Sequence, residues 1–287
     1  MKKSILFIAA LPMMLISVMS SAQGAGTQTV LDGAYVPEHN PTRKVIPYPH
    51  LRQADVMWER RIWEVIDLKQ KMNQSLYLPL EEINNRKSLF DVMRKGILED
   101  FSLTAYSLGP TQEDDEFRYP MSSTEVDSLL NPVVIRYREN LDTGDKEPVE
   151  NVEPIGSGDV VAYKIKEVWV FDKQRSERYV RILGIAPVVL LKNDQGEVKG
   201  KKDLFWLYFP ECRYVFANNE VYNSHNEAQR MTFDDLFQKR MFSGYVIKED
   251  NVFNRQIAEY ARGIDALLES ERIKNDLFLM EHDLWHY

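Results

Sequence analysis

Four prolines within thirteen residues, Pro37, Pro41, Pro47 and Pro49, fix what the start of this chain can become. Each locks its own φ, removes a backbone donor and pushes the preceding residue toward extended backbone, so neither a helix nor an interior strand runs through them. The spacing predicts an extended arm. Tyr35, Ile46, Tyr48 and Leu51 lie along it, apolar groups too few to bury one another. They need a surface, supplied either by the rest of the chain or by a neighbouring subunit that offers a groove or a sheet edge.

From Ala54 to about Met72 the pattern changes. Trp58, Ile62, Val65, Ile66 and Met72 recur at spacings of three, four and their sums, with Glu59, Arg60, Glu64, Asp67 and Lys71 largely between them, which predicts an amphipathic helix. Trp63 lies off the centre of that stripe and widens it. Such width implies either deep burial between two elements or one face for the core and one for a partner. A second helix is expected over about Leu80 to Leu98, with Pro79 at its start and Leu89, Phe90, Met93 and Ile97 on one side.

The chain then turns to strands: Val133 to Tyr137, Val160 to Asp172, Arg178 to Lys192, Asp203 to Tyr208 and Cys212 to Ala217 are rich in Val, Ile, Tyr, Phe and Trp. In the second of these, Tyr163, Ile165, Glu167, Trp169 and Phe171 alternate with Lys164, Lys166, Val168 and Val170. Hairpin loops at Asp172 to Glu177 and Asn193 to Gly196 argue for an antiparallel meander, and Pro187 implies a bulge or an edge. A helical turn is expected near Ser122 to Leu130. Beyond Asn218, Thr232 can cap a short helix through Asp235. Ile257, Tyr260, Ala261, Ile264, Leu267 and Leu268, then Ile273, Leu277, Met280 and Leu284, fit one bent helix or two short ones. The expected fold class is α+β: an extended proline-rich arm and a helix pair, a central antiparallel β-meander, and C-terminal helices. Residues 23–53 would form the arm and 54–287 a single domain, helical over 54–106, sheet over 133–217 and helical again over 232–284.

Ahead of the arm, residues 1–22 read as an export signal: Lys2 and Lys3, a mostly apolar run from Ile5 to Met19, then small residues before a cut at Gln23. No Cys stands at that junction to take a lipid. Cleavage would leave 34 basic against 44 acidic residues, a charge of about −10, which argues against nucleic acid as a partner. Cys212 is the single cysteine, so no internal disulfide forms, and its strand-like surroundings suggest a buried, inert thiol. His282 and His286, one helical turn apart around Asp283, have a spacing that can chelate a metal, the basis of an alternative reading as a periplasmic metal-binding hydrolase. Against it, Asp283 is one methylene shorter than the glutamate of zinc peptidases, and no further ligand follows Tyr287. His39, His50 and His225 fit hydrogen-bonding or exposed positions better than catalytic ones. The run Glu113-Asp114-Asp115-Glu116 lacks the glycine and spacing of a calcium loop and suggests a solvated face. Asn73-Gln74-Ser75 matches the minimal glycosylation sequon.

The string D-G-A-Y-V-P-E-H from Asp32, followed by R-K-V-I-P-Y-P-H-L-R-Q-A-D-V-M-W-E-R-R-I-W-E-V-I-D-L-K-Q-K-M-N from Arg43, resembles the GldN/PorN family of gliding-motility and type IX secretion proteins of Bacteroidota. The likeness continues through Leu89-Phe-Asp to Tyr106, then W-V-F-D and L-F-W-L-Y-F-P-E-C-R. It implies a non-enzymatic periplasmic subunit without a cofactor. That subunit would form a ring with the outer-membrane lipoprotein GldK/PorK, associate with further copies of itself, and contact the periplasmic region of the inner-membrane motor protein GldM/PorM. Tyr35, Pro47, Tyr48, Pro49 and Arg52 are the expected partner contacts. Trp58, Ile62 and Val65 are expected in the core, with Trp63 open between core and partner.

Overall fold

The computed structural model describes residues 43–283 apart from 84, 113, 140–145, 193–197, 224–225 and 227–228; at 134–139, 146–151, 192 and 281 it describes the backbone alone. All of them belong to one compact unit, His39–Tyr287. The strands are β1 (Val56–Asp67), β2 (Ala105–Ser107), β3 (Tyr119–Pro120), β4 (Val133–Glu139), β5 (Lys146–Val152), β6 (Val160–Asp172), β7 (Glu177–Lys192), β8 (Val198–Asp203), β9 (Trp206–Tyr208) and β10 (Tyr245–Glu249). The helices are α1 (Gln74–Tyr77), α2 (Leu89–Leu98), α3 (Ser123–Leu130), α4 (Phe209–Ala217), α5 (Phe233–Gln238), α6 (Ile257–Tyr260) and α7 (Ile264–Asp283). The fold is α+β.

The first correction concerns β1. The segment expected to be a helix is a long strand paired with β6 from Val56 to Asp67 and with β10 from Ile62 to Val65. Its first half alternates between partly covered and exposed positions, as a strand with one wet face should, but Ile62 through Ile66 are all buried. Burial on both faces erases the period of two, and the surviving apolar residues fall by accident at helical spacings. The β-branched and aromatic content of Trp58, Ile62, Trp63, Val65 and Ile66 decides for strand.

The strands form one antiparallel sheet in the order β10-β1-β6-β7-β9-β2-β3, with β8 also on β7; β4 and β5 form a separate ribbon. The meander is therefore real around β6, β7 and β8, but Val133 to Tyr137 is not in it. Pro187 sits where the outer partner of β7 changes from β9 at Ile185 to β8 at Val188. A residue without an N–H is tolerated at such an interruption. The stretch Cys212 to Ala217, expected as strand, lies in α4, with Pro210 in the first turn and Phe209, Cys212, Arg213, Phe216 and Ala217 buried on one side. Its aromatic content mimicked a strand. Strand β10 had no sequence signal beyond five residues of mixed polarity.

Helix α2 starts at Leu89, not Leu80, because Ser88 accepts from the Asp91 N–H and sets the cap there. A capping box at Thr232/Asp235 starts α5 as expected, and one at Ser122/Glu125, not foreseen, starts α3 where a helical turn was expected. The C-terminal segment breaks between α6 and α7 at Gly263, whose φ of +60 suits glycine.

One sheet face carries α2, α4 and α5 over Ile66, Tyr163, Ile165, Ile185 and Val189, closed by Phe209, Phe216, Phe233 and Phe237. Phe209 and Phe237 meet edge to face at 5.3 Å, and Phe216 stacks on Phe237 at 6.0 Å. Farther along the same face α7 packs Ile273 and Leu277 on Ile62 and Val246. The opposite face holds Trp63, Ala186 and Trp206 under Leu108. Ile66→Ala is expected to cost about 2–5 kcal/mol in urea unfolding. Met57→Ala, at an exposed position of the same strand, should stay within about 0.5 kcal/mol.

Candidate interaction site

Arg213 organises the arm. It projects from the buried side of α4, and Asp234 from the first turn of α5 meets it with Nε–Oδ1 at 2.9 Å and Nη2–Oδ2 at 3.3 Å. The same Nη2 donates to the Ile46 carbonyl at 2.8 Å, so one guanidinium holds two helices and the arm. The Tyr48 ring lies 4.2 Å from that guanidinium and 5.3 Å from that of Arg181 on β7. Its hydroxyl accepts from Gln238 Nε2 at 3.1 Å. Burial pushes the Tyr48 hydroxyl up, with the Gln238 bond and Arg213 pulling the other way. Arg181 donates to the Pro49 carbonyl. At the arm's start, Arg43 donates its N–H to Asn218 Oδ1 at 3.0 Å and pairs with Asp235 at 2.7 Å.

The described part of the arm is thus docked on its own chain. Pro47 and Pro49 are exposed on either side of half-buried Tyr48. Arg52 is exposed and reaches Asp55 at 3.1 Å and Gln174 at 3.4 Å. Tyr35 lies outside the described residues. The structure therefore brings Pro47, Tyr48 and Pro49 together and leaves Arg52 at their edge.

Trp63 is elsewhere, buried on the sheet face that the phenylalanine helices do not cover. Its Nε1 donates to Asp115 Oδ2 at 2.5 Å, and Lys166 and Lys248 stand 5.4 and 4.5 Å from the ring. Lys166 Nζ also binds Asp115 at Oδ1, 3.1 Å, and at its carbonyl, 2.9 Å. The acidic run is accordingly divided: Asp115 turns inward to a buried lysine, whereas Glu116 stays exposed beside Arg118.

A second charged cluster lies across the other sheet face. Arg240, two residues beyond α5, grips Glu167 at 2.7 and 3.2 Å and stands 3.8 Å from Glu64. Burial, and then the Glu167 charge, push the Glu64 carboxyl up to about 7, opposed by Lys274 and Arg240. Glu64, Arg240 and Lys274, with Trp169, Phe242 and Phe278, line an open cavity of about 420 Å³. The sequence signal was Glu167 itself, a carboxylate in phase with Tyr163, Ile165 and Trp169 on an apolar face.

The other candidate positions are structural or peripheral. Cys212 is buried in α4, and burial pushes its thiol well up, which leaves little thiolate. The Asn73 amide donates to the Asp67 and Ser243 carbonyls at 2.8 and 2.7 Å, so the sequon is occupied by folding contacts. His50 is exposed, while His39 and His225 lie outside the described residues. His282 is exposed on the last turn of α7, 3.9 Å from Asp283, and His286 lies outside the described residues. Among the described residues no three His, Cys, Asp or Glu side chains are grouped to hold a metal.

A family model described as gliding motility associated protein GldN matches residues 51–286. The chain belongs to the GldN family. No curated protein matches it significantly in sequence. Membership associates this GldN chain with gliding motility and the type IX secretion machinery. The match begins at Leu51, where the docked arm meets the sheet. None of its described helices is long and apolar enough to cross a membrane.

Two outcomes follow from these charges. Folded Glu64 keeps its proton to about pH 7, whereas the unfolded carboxyl loses it near 4.5, so its ionisation destabilises the fold progressively between those values. Relative to the wild type, Glu64→Gln should gain on the order of 2 kcal/mol between pH 5 and pH 8 in urea titrations. Arg213→Met strands Asp234 and should cost about 3–5 kcal/mol. Trypsin cleavage after Lys44 should accelerate in that variant well before the core unfolds.

Proposed function

We propose that this chain is a non-enzymatic, periplasmic structural subunit of the type IX secretion and gliding machinery. It would join an outer-membrane lipoprotein of the GldK/PorK kind in a ring, associate with further copies of itself, and contact the periplasmic region of a GldM/PorM motor protein. The observation that carries this reading is the family match over residues 51–286.

Three features support it. Residues 1–22 have the pattern of an export signal and lack a lipid-accepting cysteine, so attachment to the outer membrane would depend on a lipidated partner. The best-organised surface device is an arm with its carbonyls clamped by Arg213 and Arg181, which suits recognition. The buried carboxylates Glu64 and Glu167 face Arg240, and buried Lys166 is paired with Asp115, so these charges are spent on ion pairs rather than aimed at a reacting group.

In this reading Pro47, Pro49 and Arg52, exposed around docked Tyr48, form the described part of the partner contact, and Tyr35 extends it. Trp63 acts from beneath, by fixing the loop that carries Asp115. The metal-hydrolase alternative rests only on the spacing of His282 and His286. Recovery of the tagged chain from detergent-solubilised envelopes should bring a lipoprotein with it in ring-shaped particles. Deletion of residues 23–51 should abolish the particles while a folded core persists. Recovery of a lone monomer from the wild type, or intact rings after the deletion, would overturn the proposal.

A further inference from the structure

Helix α7 has two apolar faces, and the fold uses one. Inward, Ile273 and Leu277 pack on Ile62 and Val246, and the Ser270 hydroxyl accepts from the Val246 N–H at 2.9 Å. Outward, Ile264, Leu267, Leu268, Phe278 and Leu279 are between 53% and 75% exposed. At 3.6 residues per turn these five share one broad stripe, interrupted at its middle by Glu271 and Asn275. So large an apolar surface on a soluble helix marks a contact site.

The order of residues along the stripe says what covers it. Turned end for end about the level of Ile273, Leu268 meets Leu279 on one flank of the stripe and Leu267 meets Phe278 on the other, with Glu271 at the level of Asn275 and Ile264 at that of His282. Four of the five apolar positions then have a large apolar partner, and a carboxylate acceptor stands near an amide donor at the centre; Ile264, opposite His282, is the exception. An isologous contact has this property, since residue i meets j and j meets i. A different protein would impose no such self-complementarity.

Charge argues in the same direction. An interfacial membrane helix carries a cationic polar face. Here the flanks hold Asp265, Glu269 and Asp276, Arg272 is already bound to Glu269 at 2.7 Å and to Asp276, and Lys274 donates to the Gly244 carbonyl. The five apolar side chains of two copies would together cover on the order of 1,000 Å², the lower range of a specific interface.

We infer that α7 is an antiparallel, two-fold docking surface for a second copy of this chain, centred at Ile273. The inference deepens the self-association in the proposed reading by naming its surface and symmetry. Its test uses the purified chain alone, so either can fail without the other.

The chain lacking residues 1–22 should sediment as a concentration-dependent dimer. Leu268→Asp, at an exposed position, should raise the dissociation constant roughly 30-fold or more while leaving the thermal unfolding of the monomer unchanged. In a second measurement, Glu271→Cys and Asn275→Cys proteins, mixed and oxidised, should cross-link to each other much faster than either does alone. A monomer at all concentrations, a dimer indifferent to Leu268→Asp, or equal cross-linking within each single variant would overturn the inference. So would dimerisation that appears only once residues 23–42 are deleted, which would mean that the face is covered by the chain's own arm. Flotation of the wild type, but not Leu268→Asp, with anionic vesicles in place of dimerisation would assign the face to lipid and equally overturn it.

Discussion

The β1–β6 ladder is the contact on which the rest depends. It pairs Val56 through Asp67 with Asp172 back to Ala162, and so joins the first described strand to the middle of the chain. On its outer side β1 binds β10, which brings in α7. On its other side β6 binds β7, against which α4 packs the arm's receptor. One face of the ladder carries Glu64 and Glu167 beneath Arg240, and the other carries Trp63 and Lys166 beneath Asp115. Charges on both sides of a buried ladder are costly unless paired, and each is paired with a segment remote in sequence. The ladder is thus tied to the loop before β3, to the segment after α5 and to α7.

That arrangement separates two kinds of surface. Inside, aromatic rings and paired charges fix the relative positions of sheet and helices. Outside, the chain presents an arm with prolines exposed around a clamped tyrosine, and a helix with an apolar outer face. The organisation suits the structural role proposed above. The cavity beside Glu64 is accounted for by its own charges: Arg240 serves Glu167, and Lys274 donates to the Gly244 carbonyl.

Much of this was legible in the residues, and the misreadings have physical causes. The described residues 43–52, which include Pro47 and Pro49, form neither helix nor strand, and Thr232/Asp235 announced its helix because capping is local chemistry. The hairpin between β6 and β7 was legible for the same reason. Strand β1 was misread because its inner half is covered on both faces, which removes the alternation that distinguishes strand from helix. Helix α4 was misread because its apolar content is aromatic and β-branched, while its 3.6-residue burial is set by tertiary packing. The pairing of Asp115 with Lys166, fifty-one residues away, left no local trace. Arg213 with Asp234 was equally hidden, although a lone arginine amid Cys212, Val215 and Phe216 marks a cation that must find a buried partner.

As the proposed structural subunit, this chain would work through its outer surfaces and not through its cavity. Hydroxyl-radical footprinting of the isolated chain, compared with the same chain in an envelope-extracted assembly, reads both at once. Oxidation should fall several-fold at Pro47, Pro49, Leu267, Leu268 and Leu279 in the assembly, with Trp169 and Phe242 beside the cavity unchanged. Protection confined to Trp169 and Phe242, with the arm and the outer face of α7 as reactive as in the isolated chain, would contradict it.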